Sequence, residues 1–463
     1  MPEPYGAPLA ARLAALATAA EPPPEVLADA ADRVLDTLGC ALAAHGLGAG
    51  AAARDVAGAA GGAPEASLIG ARERVPVAAA ALGNAGLAHA LDFDDTHERS
   101  VCHVSAVVVP AALACAEARG AAGAELLAAV AAGSEVTARV GLAAPGAFHR
   151  RGFHPTGVCG AIGAAAAAAR LAGLDAAQAT AALAIASSFG SGHFAYLEDG
   201  SQTKPLHAAW AAHGGVLAAQ LAAAGAEGAA RALEGRFGLY ETHVDEEPDL
   251  GAAIDGLGER WECVRSVVKP YPACHFSHAA LDAAARAAGA LPLDAAAVEE
   301  VTVRTSAEGA ALVLEPREAK LRPRTPYEAK FSLPYCVAAL LLRGSLGLGD
   351  FTPEAIADER VLALAARVRG EAWPPGREPA PFAGAAELRL AGESGPRAAT
   401  IAVARGGPGD PLGEAALLQK FRGNANLALA ERAAESLAAA IRGLPSGAAP
   451  AAVGDALRAP VRA

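Results

Sequence analysis

No two cysteines in this chain stand two residues apart, and the seven present are scattered and odd in number. That excludes an iron–sulfur cluster on closely spaced thiolates and a disulfide framework, and it fits a reducing, cytoplasmic setting. There is no G-x-S-x-G, so the sharp nucleophile turn of a serine hydrolase is missing. The glycine-rich stretch GAGAAARDVAGAAGGAPEA, residues 48–66, follows no strand and does not end in Gly-Lys-Ser/Thr. It reads as a loop and not as a phosphate-binding turn. Positive charge is also scarce: the formal net charge is −12, which speaks against nucleic acid or an acidic membrane surface as partner. No apolar run reaches about 18 residues without a charge or a helix breaker, so no transmembrane span is expected. The first residues, MPEPYGAPLAARL, carry Pro and Glu and lack a basic segment, unlike a signal peptide.

What is abundant is Ala, Leu and Val, with aromatics at only 4%. Small side chains at this density favour closely packed helices. PPPEVLADAADRVLDTLGCALAAHG opens on Pro, repeats apolar residues every three or four positions and stops at Gly46. Residues 107–119, 122–141, 157–172, 175–187 and 205–224 continue that pattern, so residues 1–265 read as helix after helix. The texture changes after Lys269. VEEVTVRT, residues 298–305, alternates as a half-buried strand does, and residues 385–405 read as a hairpin with Gly, Ser and Pro at its turn. Thr352 before Pro353 predicts a helix start, as does Asp358. From 412 the chain is helical again. The expected fold is mainly α: a large all-helical domain built from both chain ends (1–267 and 406–463) plus a smaller α+β lid domain (268–405).

Four groups of ionisable residues interrupt the apolar background. HALDFDDTHERSVCH holds Asp92, Asp94, Asp95, Thr96, His97 and His103; GFHPTG holds His154; LEDGSQTKPLHAAWAAH holds Lys204, His207 and His213; VVKPYPACHFSH holds Lys269, Tyr271, Cys274, His275 and His278. Their spacing matches no familiar zinc pattern, so no metal or other cofactor is expected. Singly, each group has a plain structural reading. Aspartates cap helices, a lone lysine sits at the surface, and a lone histidine is usually a cap or core residue. His45, His89, His149 and His243 are left to that reading. Cys40, Cys115, Cys159 and Cys336 lie in apolar surroundings and read as core. Taken together, the four groups all fall at helix or domain boundaries, which favours a site. His154 before Pro155 also offers the backbone N–H groups of a helix start to a carboxylate.

ALDFDDTH followed by His103, GFHPTG, LEDGSQTKPLHAAWAAH, KPYPACHFSH and EAKFSLPYCVAALL, in that order, resemble the signature blocks of the MmgE/PrpD family. The resemblance runs over roughly residues 5–445. The family includes cluster-free 2-methylcitrate dehydratases, cis-aconitate decarboxylase and an iminodisuccinate epimerase. It implies a helical domain with an α+β lid, a homodimer, and an active site in the cleft between the domains. By position in the motifs, the family's site residues fall on Asp92, Thr96, His103, His154, Lys204, Lys269 and Tyr335. The chain departs from the pattern at Val104, where Pro is common, and at Cys274, where decarboxylase-like members carry His; His275 follows one step later. Either Cys274 or His275 is then the residue that faces substrate.

Dehydration, decarboxylation and epimerisation of such substrates all pass through a carbon acid beside a carboxylate. They need proton transfer near neutral pH and cations to hold the carboxylates. In this reading His103 and His154 transfer protons, Asp92 orients a histidine, and Lys204 and Lys269 clamp carboxylates. Thr96 and Tyr335 donate hydrogen bonds, with His207 and Cys274 or His275 lining the substrate. The function expected is a cofactor-independent lyase on a small di- or tricarboxylate, a dehydratase ahead of a decarboxylase. The alternatives are an epimerase using the same proton chemistry, or a catalytically idle dimeric carboxylate-binding protein.

Overall fold

The computed structural model describes residues 7–458, and helix dominates it. The chain divides into two compact units. Among the described residues the first comprises Ala7–Ala90, Asp94–Val268 and Gly413–Arg458, and the second comprises Leu91–Phe93 and Lys269–Leu412.

In the first unit the helices Val77–His89, Ser105–Arg119, Gly123–Leu142, Pro155–Ala172 and Lys204–Ala223 pack on one another. Their contacts are built from Ala and Gly, so backbones approach closely. A Cβ added at Gly163 would meet Thr137 Oγ1 at 1.8 Å and the Gly133 carbonyl at 2.5 Å. One added at Gly215 would meet the Ala161 carbonyl at 2.6 Å. The local signals act where the sequence places them. Pro24 and Pro155 sit in the first turns of their helices, and Asp175 and Gln178 form a capping box. Gly120 and Gly173 end their helices in the left-handed conformation. Helix Glu414–Ala425, where the chain returns to this unit, packs on Pro24–Gly46, and Lys420 reaches Asp36 at 2.7 Å inside that contact.

Two local expectations are corrected. Part of the glycine-rich stretch read as a loop is a helix, Ala51–Gly58, because its alanines are strong helix formers and Ala53 and Ala57 bury against Val77–His89. Residues 224–265, read as helical, are mostly irregular. They hold two five-residue helices, and Ser266–Val267 (β2) pairs antiparallel with Thr96–His97 (β1).

The second unit carries a mixed four-stranded sheet in the order β4-β3-β5-β6, with β3 Val298–Thr305, β4 Val368–Ala372, β5 Gly384–Leu390 and β6 Arg397–Ile401. The expected strand is β3 and the expected hairpin is β5–β6. The strand β4, which pairs parallel to β3, lies where the sequence read as helical, just beyond the helix Glu359–Ala365. Helix His278–Ala288 packs on β5 and β6, and Gly384 admits it, since a Cβ there would lie 2.3 Å from the Ala280 nitrogen. Thr352 and Asp358 cap their helices through the Ala355 and Arg360 amides. No single helix among the described residues is long and apolar enough to cross a membrane.

A buried imidazole cluster as candidate active site

Three segments of the first unit bring histidines to one point. Helix Val77–His89 ends on His89. The loop after β1 doubles back through a His97–Cys102 bridge and presents His103. Val101 takes a left-handed conformation there (φ 55°), an uncommon one for a β-branched residue. His154 stands just before helix Pro155–Ala172 and is tied down by its own N–H to the Gly192 carbonyl at 2.9 Å. Thr156, in the same first turn, accepts the His103 N–H at 3.0 Å and so locks the second segment to the third. The ring centroids of His89 and His103 lie 4.6 Å apart, those of His89 and His154 5.4 Å, and those of His103 and His154 6.1 Å. All three side chains are buried.

Asp94 is the carboxylate of this cluster. Its Oδ2 lies 2.9 Å from His89 Nδ1 and 3.2 Å from His103 Nδ1. Burial pushes the Asp94 carboxyl up, but the charges and hydrogen bonds of His89 and His103 outweigh that and hold it well below the usual carboxylate range. Thr96 Oγ1 stands 3.4 Å from His103 Nδ1. His154 Nδ1 lies 3.2 Å from His207 Nδ1. Burial, and then the charge of Lys204, hold His154 well below the normal imidazole range. His207 is lowered to about 4 by burial and the neighbouring histidines and lysine. Both rings are therefore neutral near pH 7. Lys204 is buried at the first turn of Lys204–Ala223, and its charge also lowers His149. Asp95, beside Asp94, takes the Ser105 amide at 3.0 Å and the Ser105 hydroxyl at 2.6 Å, which anchors the helix that follows His103.

Thr96, His103, His154, Lys204 and His207 thus gather in the first unit, joined by two residues outside the expected set, His89 and Asp94. It is Asp94 that bonds His89 and His103, while Asp92 bonds Lys269. The sequence carried a signal for this pair: both lie in HALDFDD, five residues apart, at the end of a helix.

The other expected residues belong to the second unit. Asp92 (φ 53°) and Lys269 form a fully buried pair, with Lys269 Nζ 3.1 Å from Asp92 Oδ2 and 2.8 Å from its carbonyl. Tyr335 donates its hydroxyl to the Asp350 carbonyl. Cys274 is buried and its N–H bonds the Lys330 carbonyl at 2.9 Å. His275 packs against His278 and Phe382, with ring centroids 5.0 and 5.2 Å away. Elsewhere in the first unit, a cavity of about 470 Å³ is lined by Arg12, Arg231, Glu234, Tyr240 and Glu241 among others. It has no histidine and does not offer the same chemistry.

Two imidazoles on one carboxylate, with the neutral rings of His154 and His207 and a buried lysine nearby, form a cluster that can take up and release protons. Comparison with known proteins shows the family. The MmgE/PrpD N-terminal domain matches residues 9–250 and the MmgE/PrpD C-terminal domain matches residues 271–445. Human cis-aconitate decarboxylase is 30% identical over 385 residues, covering 80% of this chain and 77% of the relative. The mouse cis-aconitate decarboxylase is 29% identical over 379 residues, covering 79% and 75%. The cis-aconitate decarboxylase of Aspergillus terreus is 26% identical over 237 residues, covering 49% and 48%. The chain belongs to the MmgE/PrpD family.

Proposed function

We propose that this chain is a lyase that acts on a small tricarboxylate of the cis-aconitate type, releasing carbon dioxide and placing a proton on the carbon skeleton. The observation that carries this reading is the Asp94-centred imidazole cluster; the decarboxylase names of the relatives support the reaction type. In a β,γ-unsaturated acid, the electrons of the breaking carbon–carboxylate bond shift the double bond. The vinylic carbon beside another carboxylate then takes a proton. That step needs a donor at fixed distance and a cation for the remaining carboxylates. His103 fits the donor role, because Asp94 on its Nδ1 fixes the ring and steadies the imidazolium that forms when Nε2 carries the proton. His154, neutral and buried at the same point, fits the role of relaying a proton back to His103 after each turnover. Lys204 supplies positive charge near His154.

Dehydration of a 2-methylcitrate-type substrate is the second reading. It is favoured by one observation: Cys274 stands where decarboxylase-like members of the family carry histidine. Proton NMR in deuterated water with cis-aconitate, citrate and 2-methylcitrate separates the two. Loss of carbon dioxide with one deuteron incorporated is expected. Loss of water alone would replace the first reading with the second, and deuterium exchange without net conversion would replace both with an epimerase. His154→Ala and Asp94→Asn should each lower turnover at least ~100-fold in folded protein. Normal turnover in either would remove that residue from the mechanism. The roles expected of Lys269, Tyr335, Cys274 and His275 are proposals of the same kind, read out by kcat and KM of single replacements.

We also propose that the protein is a homodimer. Helix Lys204–Ala223 exposes Leu206, Trp210 and Leu221 to 37–44% on one face, an apolar stripe that a second copy would cover.

A further inference from the structure

The imidazole cluster has a property that proton transfer does not use. Each of the three rings has its Nδ1 engaged: His89 and His103 on Asp94, and His154 on His207. On His89 and His154 that leaves Nε2 as the second ring nitrogen. The Nε2 atoms of His89 and His154 are buried without a hydrogen-bond partner among the described residues, although their rings are 0% and 3% exposed. A buried polar atom left unpaired costs free energy, and two of them in one cluster call for a ligand.

The spacing suits a metal ion. One ligand nitrogen from each of His89, His103 and His154 can be chosen so that all lie within 4.8 Å of one another. A tetrahedral ion with bonds of about 2.0–2.1 Å sets its ligand nitrogens about 3.4 Å apart and the ring centroids about 5 Å apart. The centroid separations of 4.6, 5.4 and 6.1 Å bracket that value. Small side-chain rotations therefore close the site. The surroundings match as well: a carboxylate bonded to the far nitrogen of a ligand histidine fixes its tautomer and raises its basicity, and Asp94 does this for two of the three. Three imidazole nitrogens favour Zn²⁺ or Co²⁺ over Mg²⁺ or Ca²⁺, which prefer oxygen. The sequence concealed this site because its ligands are separated by 14 and 51 residues.

We propose that His89, His103 and His154 bind a divalent transition-metal ion of the Zn²⁺ class, and that the bound ion inhibits the enzyme by occupying the nitrogens that move protons. The binding half stands on geometry alone; the inhibition half rests on the proposed function.

Titration of the chelator-stripped full chain with Co²⁺ tests the binding. The expected result is one ion per chain with the intense visible absorption of tetrahedral Co²⁺, displaced by Zn²⁺ and not by Mg²⁺. His89→Ala, His103→Ala and His154→Ala should each weaken binding at least ~10-fold, with folding checked by circular dichroism, while His213→Ala leaves it unchanged. His89→Gln, which can retain a hydrogen bond to Asp94, serves if the alanine variant does not fold. Absence of a one-to-one tetrahedral complex, or binding indifferent to the three replacements, would overturn the site. If Zn²⁺ binds there and turnover with the identified carboxylate is unaffected, the inhibition half fails. If Zn²⁺ binds there and the metal-free protein turns over no carboxylate, the proposed function fails while the site stands.

Discussion

Asp95 offers a quantitative test of how the wall of the imidazole cluster is held. Its carboxylate is buried, accepts two hydrogen bonds from Ser105 and lies 3.7 Å from the Arg33 guanidinium. Burial is the largest influence and raises its pKa to about 6, against the lowering by Arg33 and Ser105. In the unfolded chain the value is the ordinary 3.8. Between the two values the folded protein keeps a proton that the unfolded chain has lost. The group's stabilising contribution is therefore complete below the unfolded value and is lost as pH rises through the folded one. A shift of about two units corresponds to about 3 kcal/mol. Asp95→Asn cannot titrate. The unfolding free energy of wild type minus that of the variant should fall by about 3 kcal/mol between about pH 4 and about pH 7. Urea unfolding of both proteins in matched buffers measures it, and the subtraction cancels every other titrating group. A difference that is flat, or that rises with pH, would refute the assignment of Asp95 as a carboxyl raised by burial.

Three further outcomes follow from the packing of the first unit. Lys420→Met removes the ammonium from Asp36 inside a helix–helix contact and should cost about 3–5 kcal/mol at neutral pH, seen as a lower urea midpoint. Gly163→Ala forces a methyl group against Thr137 and the Gly133 carbonyl and should cost about 1–3 kcal/mol; an unchanged melting temperature would show that these helices can separate at low cost. Trp210→Glu places a charge in the exposed stripe of helix Lys204–Ala223 and should shift sedimentation from dimer to monomer; an unchanged dimer would place the interface elsewhere.

Much of the helical architecture was legible because its signals are local. Proline at first turns, glycine at helix ends and apolar residues every three or four positions act within a few residues of where they are read. The strand β3 was legible by its alternation, with Val298, Val301, Val303 and Thr305 buried. The strand β4, VRGEA, was not, because it has no alternation and owes its state to parallel pairing with β3. The site divided in the same way. Motifs named His103, His154 and Lys204, but the choice between Asp92 and Asp94 depends on where the chain turns after His89. The left-handed Asp92 bonds Lys269, whereas Asp94 meets the imidazoles. His89 passed for a core residue because nothing in its own neighbourhood shows that His103 and His154 stand beside it.

Val101 gives the loop before His103 an unusual character. A valine in the left-handed conformation carries a penalty of about 1–2 kcal/mol, and the segment stays in place because its ends are fastened, by Asp95 to Ser105 and by Thr156 to His103. The loop is in effect a bent spring clamped at both ends, with the proposed proton donor mounted next to one clamp. An engineer seeking a more durable enzyme would choose Val101→Gly early, since it releases that tension. The same change would slacken the mount of His103, so durability and turnover would be traded against each other at a single position.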